Sequence, residues 1–300
     1  MLKISVVIIC YNQKEIIKRA IDSVLKQSPF GLYEIIISDD CSLDGTWDVL
    51  LDYKDKYPNL IKPHKNNPNL GIYANLQKAL TYVDYVNTDA IQLLSGDDAL
   101  CDDYYKELQS FLSYNKIDND AFTIYSDWKA INPNGEERYF YNDFASSSYN
   151  KISLKLRQLI YNRSIVSSKE VYKKFYPVPI NKGISVAECL FDIQIQIHTN
   201  QSYYVPYVGS IYYSGIGVST QMADAKSRLN FIEAYREYLK MNVFSSSDLR
   251  YIKYKICRLK YVDDKNITLF IKTWWYFFTS IKYKIDIKSV VKDFIVMIIK

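Results

Sequence analysis

Glycine and proline are scarce, nine and eight in 300 residues, and no internal repeat or low-complexity segment is visible. The five cysteines (Cys10, Cys41, Cys101, Cys189 and Cys257) are odd in number, scattered, and form no CxxC pair. That argues against a disulfide framework or a zinc site and for a reducing compartment. The opening MLKISVVIICYN holds too short an apolar run for a secretion signal and reads as a core strand. No GxGxxG follows that strand, so a dinucleotide fingerprint is missing. Acidic residues are sparse at one end only. From Tyr251 to Lys300 eleven Lys/Arg face four Asp, a local +7 within a total of +5, which leaves −2 for the first 250 residues. A basic, aromatic tail on a near-neutral body points to an anionic surface, not to a nucleic-acid-binding core.

What is present alternates. Ile4 to Ile9 is an unbroken β-branched run, the mark of a strand covered on both faces of a parallel sheet. Ile16, Ile17, Ala20, Ile21, Val24 and Leu25 then recur at helical spacing. Glu34 to Ser38 is a second buried strand, and helical periodicity resumes from Trp47 to Tyr53. Leu60 to His64 makes a short third strand, Ile72 to Val83 a helix, and Ile91 to Leu94 a fourth strand. This alternation predicts α/β architecture: βαβ units in a Rossmann-like, mostly parallel sheet with helices on both faces. Beyond it come a helix (Tyr104 to Leu112) and a β-rich run (Ala121 to Ile131). Asn132-Pro133-Asn134-Gly135 is the turn of a hairpin with Arg138 to Tyr141. Asp143 to Asn150 reads as a loop, with helices over Lys151 to Tyr161, Ser168 to Phe175 and Val186 to Thr199. Two short strands around Ser202 to Tyr213 lead into a glycine-bearing loop, Ser214 to Ser219, and helix beyond Thr220.

Three of the strands end in polar residues: Tyr11-Asn12, Asp39-Asp40 and Asp97-Asp98. Open α/β sheets bind their ligands at the carboxyl ends of the strands. Adjacent carboxylates on the Ser95-Gly96 turn are hard oxygen ligands suited to Mg²⁺ or Mn²⁺, whose shell substrate phosphates usually complete. By itself, GDD can equally be a solvated turn with two surface acids. Taken in order, SVVIICYN, SDDCSLDGT and LLSGDD resemble the family-2 glycosyltransferases of the GT-A fold.

The resemblance covers about residues 1–220 and implies a catalytic domain with a nucleotide-sugar half (1–100) and an acceptor half (101–220), followed by a helical C-terminal extension (221–300). It implies a nucleotide-diphosphate sugar donor, a divalent cation, and transfer with inversion to a saccharide acceptor. On this analogy Tyr11 stacks on the base, Asp40 accepts a hydrogen bond from it, and Asn12, Asp39 and Asp44 belong to the same donor-binding loops. Asp97 lies near the ribose or metal and Asp98 binds the metal. Asn69, Gly71 and Asn75 match an NxGxxxAN-like run that lines the donor pocket; the alternative for Asn75 is a surface helix residue. Inverting transfer needs a base for the acceptor hydroxyl. Cys189 stands where the family commonly has the Asp of a Glu-Asp pair, so Glu188 is the first choice and Asp192 the second. The alternative for Asp192 is an exposed helical acid. Ile9 replaces a common Pro, and Ser95 replaces the first Asp of a longer DxDD form. Asp127 and Trp128 fall on the acceptor side, where Trp128 either stacks on a sugar ring or is buried in the core. Two rival readings are a nucleotidyltransferase of similar architecture and a binding module with a dead site, the latter supported by Cys189 alone.

The tail completes the picture. Ile267 to Ile281 and Ile285 to Ile299 are apolar, aromatic and dotted with Lys, short of the ~18 to 20 apolar residues that span a bilayer. They suit an interfacial position on anionic lipid through residues 265–300, or a helical hairpin packed on protein. The expectation is a cytoplasmic enzyme of surface-polysaccharide synthesis, peripheral on the inner membrane face, with a lipid-linked acceptor.

Overall fold

A computed structural model describes residues 1–117, 120–140, 164–176, 187–216 and 225–280. At its centre is β1 (Ile4–Cys10), with parallel neighbours on both sides: β2 (Leu32–Asp39) and β4 (Ala90–Ser95). β3 (Ile61–Lys65) adds in parallel to β2. Between these strands run α1 (Ile17–Leu25), α2 (Thr46–Lys56) and α3 (Ile72–Leu80). The β-branched composition of β1 has its reason here, since Ile4, Val6, Val7 and Ile8 have no exposed surface. Ile4, Val6, Ile8 and Cys10 share a core with Ile17, Ala20, Ile21 and Val24 of α1 and Leu50 of α2. Alternate residues such as Val7 face the other way, to the side where α3 packs on β1 and β2.

Past β4 the sheet becomes mixed. The order is β3-β2-β1-β4-β8-β6-β9-β5, with β7 on β6. β5 (Ala99–Leu100) is followed by α4 (Tyr104–Tyr114). β6 (Phe122–Ile131) and β7 (Glu137–Phe140) form the hairpin expected from the Asn132–Gly135 turn, where Gly135 takes a φ of 82°. β8 (Ile165–Ser168), which the sequence pattern does not announce, runs antiparallel between β4 and β6. Four residues are too few for periodicity, so the pairing partners decide the conformation. β9 (Gln201–Tyr213) is one long strand where two short ones are expected. Pro206 and Gly209 interrupt its pattern, and its register against β6 shifts on either side of Asp127. Helices α5 (Lys169–Phe175) and α6 (Ala187–His198) lie close to their expected bounds. The loop and helix expected over 143–161 fall outside the described residues, as do positions 217–219 of the glycine-bearing loop.

The chain divides into two compact units. One contains the nine strands with α1 to α5 and α6 from Gln194 onward. The other contains α6 up to Ile193 and α7 (Ala225–Lys240), α8 (Ser246–Asp263) and α9 (Ile267–Thr279). In the second unit, Ser245 and Asp248 form a reciprocal capping box at the start of α8, and Asn266 caps α9. Arg228 of α7 pairs with Asp263 at the end of α8. Tyr254 and Phe277 pack ring to ring across α8 and α9, 5.3 Å between centroids. Among the described residues no helix is long and apolar enough to cross a membrane.

Candidate active site

The register of the parallel strands carries three polar segments to one rim. Cys10 lies opposite Asp39, and Ile9 opposite Ser95. Neighbouring strands run ~4.8 Å apart, so the β2 and β4 carboxylates leave the sheet about 10 Å from each other with Tyr11-Asn12 between them. Main-chain bonds extend the ladder past the strand ends: Asp40 N–H to Cys10 O (2.9 Å) and Gly96 N–H to Ile9 O (3.0 Å).

The β1 and β2 loops interlock through side chains. Asn12 sits in the left-handed region at φ 51°, a conformation Asn tolerates. Its N–H donates to Ser42 Oγ (2.8 Å) and its Oδ1 accepts from Leu43 N–H (2.9 Å). The Ser42 hydroxyl and N–H in turn donate to the buried Asp39 carboxylate, with Lys65 Nζ 4.0 Å away. Burial pushes the Asp39 carboxyl up, against the lowering effect of Ser42 and Lys65. Asp44 accepts from Lys14 N–H (3.0 Å), Thr46 N–H (2.9 Å) and Thr46 Oγ1 (2.5 Å). Burial works to raise its carboxyl, but these hydrogen bonds outweigh it and hold the group below the usual range. Tyr11 keeps a large aromatic face 45% exposed on this rim.

Asp40 organises the segment before α3. Its carboxylate accepts from Asn66 Nδ2 (2.9 Å), Leu70 N–H (2.9 Å) and Gly71 N–H (2.8 Å), while its carbonyl accepts from Asn69 Nδ2 (2.7 Å). Asn75 is buried, which removes the surface-residue alternative. Its Oδ1 accepts from Asn66 Nδ2 (2.8 Å), and its Nδ2 donates to Ser38 O on β2 (3.2 Å). Asn66 is thus a hub that the sequence reading passes over, as it does Ser42 and Thr46. The nearest signal for Ser42 is its place three residues after Asp39, where a hydroxyl can close a local turn.

On the third segment, Asp98 is buried and its Oδ1 accepts from Tyr213 N–H at 3.3 Å; Asp97 is half-buried. Gly96 is packed closely by Gln13, Ile17 and Cys10, so that an added Cβ would force its neighbours to shift. Among the described residues no three His, Cys, Asp or Glu gather as a metal cluster. Two carboxylates on a tight turn nevertheless fit Mg²⁺ or Mn²⁺, which commonly takes one or two protein carboxylates and fills its shell from a diphosphate and water.

The remaining expected residues are carried by β6 and α6. Asp127, buried on β6, accepts from Tyr204 Oη with both oxygens at 2.9 Å. Trp128 is buried and stacks on Phe140, 3.8 Å between ring centroids, with Tyr212 edge-on. Glu188 and Asp192 stand one turn apart on α6; Asp192 is half-buried, and the side chains of 187–190 lie outside the described residues.

The sequence model described as "Glycosyl transferase family 2" matches residues 5–167. The chain belongs to that family. An abequosyltransferase of Salmonella typhimurium is 36% identical over 110 residues, covering 36% of this chain and 32% of the relative. A poly(ribitol-phosphate) beta-glucosyltransferase of Bacillus spizizenii is 33% identical over 124 residues, 39% of this chain and 19% of the relative. The chain therefore spans a third or less of the length of these curated relatives. Among solved structures, S. aureus TarS residues 1–349 in complex with UDP-GlcNAc superposes with a TM-score of 0.61 at 16% identity, over 87% of this chain and 73% of that one. That likeness shows the fold, GT-A, as the motifs of this family-2 chain imply.

Proposed function

We propose that this family-2 chain transfers a glycosyl group from a nucleoside-diphosphate sugar to a saccharide acceptor, with inversion at the anomeric carbon. The observation that carries this reading is the single rim bearing Tyr11-Asn12, Asp39-Asp40 and Asp97-Asp98. A donor with a flat base and a charged diphosphate needs an aromatic face at one end and cation-holding carboxylates at the other, about one nucleotide apart. Tyr11 offers the face, and Asp40 with Asn66, Asn69, Gly71 and Asn75 forms the wall beside it. Asp98 and Asp97 are the residues that would hold Mg²⁺ or Mn²⁺, whose chemistry when bound is to neutralise the charge developing on the departing diphosphate. The acceptor oxygen forms a bond to the anomeric carbon as the bond from that carbon to the diphosphate oxygen breaks. The acceptor's proton passes to a carboxylate on α6, Glu188 first and Asp192 second. On this reading Asp127 belongs to the acceptor side, while Trp128, buried and stacked on Phe140, supports that side from the core and does not stack on a sugar.

One named relative is an abequosyltransferase and the other a glucosyltransferase of poly(ribitol-phosphate), which supports a polymer as the acceptor class. A lipid-linked acceptor at the inner face of the cytoplasmic membrane agrees with the second unit. On α9, Ile267, Ile271, Trp275 and Phe278 lie along one face and are each more than half exposed, with Lys265 and Lys272 beside them. A basic, aromatic amphipathic face suits an anionic interface.

The test is a thermal-shift panel of nucleoside-diphosphate sugars with Mn²⁺, since only ligands of the native state raise its stability. Donors that stabilise the protein are then assayed for release of nucleoside diphosphate. Turnover is expected with at least one donor, and its loss in Asp98→Ala with the apo melting temperature kept. No stabilising donor and no release would overturn the proposal.

A further inference from the structure

We infer that Arg19 is the positioning residue of the Asp97-Asp98 turn, the head of a polar stripe by which α1 grips the whole segment from Asp97 to Tyr105; this rests on the donor-site reading above. Arg19 and Ser23 lie one turn apart on one face of α1, and Gln27 follows two residues past its end. Each meets the backbone of that segment. Arg19 Nη2 donates to Asp97 O at 2.5 Å. Ser23 Oγ accepts from Leu100 N–H at 3.0 Å. Gln27 Nε2 donates to Cys101 O at 3.0 Å, and Gln27 Oε1 accepts from Tyr105 N–H at 2.9 Å. Ser23 and Gln27 are buried, so these bonds form away from competing water.

Arg19 differs from the other two in carrying charge and in having a second partner. Its guanidinium lies 3.4 Å over the Tyr213 ring, a stacking geometry that a planar cation fits and an ammonium does not. The Tyr213 N–H is the donor that meets Asp98 Oδ1. One side chain therefore fixes the carbonyl of the first acid directly, and through Tyr213 the carboxylate of the second. Arg19 Nε is buried without a hydrogen-bond partner, a cost that a guanidinium placed only for solubility would not carry.

The experiment compares Arg19→Met, Arg19→Lys and Lys18→Met, the last removing a neighbouring exposed charge from the same helix. Two readouts are taken: amide hydrogen exchange over residues 95–101 in the apo protein, and binding of UDP and GDP by calorimetry with and without Mn²⁺. Arg19→Met is expected to exchange at least tenfold faster in that segment and to lose at least tenfold in the Mn²⁺-dependent part of the affinity. Arg19→Lys is expected to recover part of both, and Lys18→Met to match the parent. If Arg19→Met does not fold, Tyr213→Ala serves instead. It removes the ring under the guanidinium but keeps the main-chain N–H, and the same two changes are expected in smaller degree. Exchange unchanged in the folded Arg19→Met or Tyr213→Ala protein overturns the inference, as does unchanged Mn²⁺-dependent affinity. A parent protein that binds neither nucleotide would refute the donor-site reading, and the exchange readout would still decide the role of Arg19 in holding the turn.

Discussion

Gly96→Ala separates crowding at the site from ordinary backbone strain. A Cβ at position 96 would lie 2.2 Å from Gln13 Oε1, 2.8 Å from Ile17 Cδ1 and 3.0 Å from Cys10 Cβ. The Gln13 amide is the end of a flexible side chain and can swing aside. Cys10 Cβ cannot, because it belongs to an inner strand paired on both sides. Carbon atoms settle about 3.5 to 4.0 Å apart, so the turn must retreat by a few tenths of an ångström. Overpacking of this kind costs about 1–3 kcal/mol, read as roughly 2–4 °C of melting temperature per kcal/mol in a domain of this size. A misplacement of about 1 Å in reacting groups costs about 100-fold in rate, so a shift of a few tenths costs roughly several-fold. The control is Gly135→Ala in the hairpin, where φ is +82° and nothing lies within 4 Å of the added atom. Left-handed backbone there costs about 1–2 kcal/mol, with no path to the rim. Both variants should therefore lose comparable stability in thermal melts, and only Gly96→Ala should lose kcat at saturating Mn²⁺ and donor. A Gly96→Ala enzyme with parental kcat would refute the claim that this turn's position governs the reaction.

Two further outcomes follow from the proposed function. Glu188→Gln and Asp192→Asn should divide the two candidates for base. The true base loses about 10²- to 10⁴-fold in kcat with donor affinity unchanged by calorimetry, while its neighbour stays within a few-fold of the parent; equal, small losses in both would remove α6 as the source of the base. Replacing Ile271 and Trp275 with Glu should abolish co-flotation with phosphatidylglycerol vesicles and leave turnover of a soluble acceptor intact. Equal flotation of variant and parent would remove α9 as a membrane contact.

The parallel half of the fold was legible because each of its elements is decided locally. A β-branched run such as Ile4–Ile9 has one low-energy use, a strand covered on both faces, and the spacing of Ile17, Ala20, Ile21 and Val24 has one, a helix on that strand. The hairpin at Asn132–Gly135 was legible for the same reason, since its turn residues fix the backbone. β8 was not, because Ile165–Ser168 owes its strand conformation to partners 74 to 78 and 40 to 44 residues earlier in the chain. β9 looks like two strands in sequence because Pro206 and Gly209 break a pattern that pairing with β6 carries across.

The site divides along the same line. Residue types and their order along the chain supplied the carboxylates, the asparagines and the family to which they belong. Only the register of β2, β1 and β4 could bring Asp39-Asp40 and Asp97-Asp98 to one edge, since a one-residue slip would send those side chains to opposite faces. The bracing residues, Ser42, Asn66, Arg19 and Tyr213, were hidden because their partners lie as far off as 115 residues, from Asp98 to Tyr213. A hydrogen bond depends on distance in space, and one chain read in order carries no record of it.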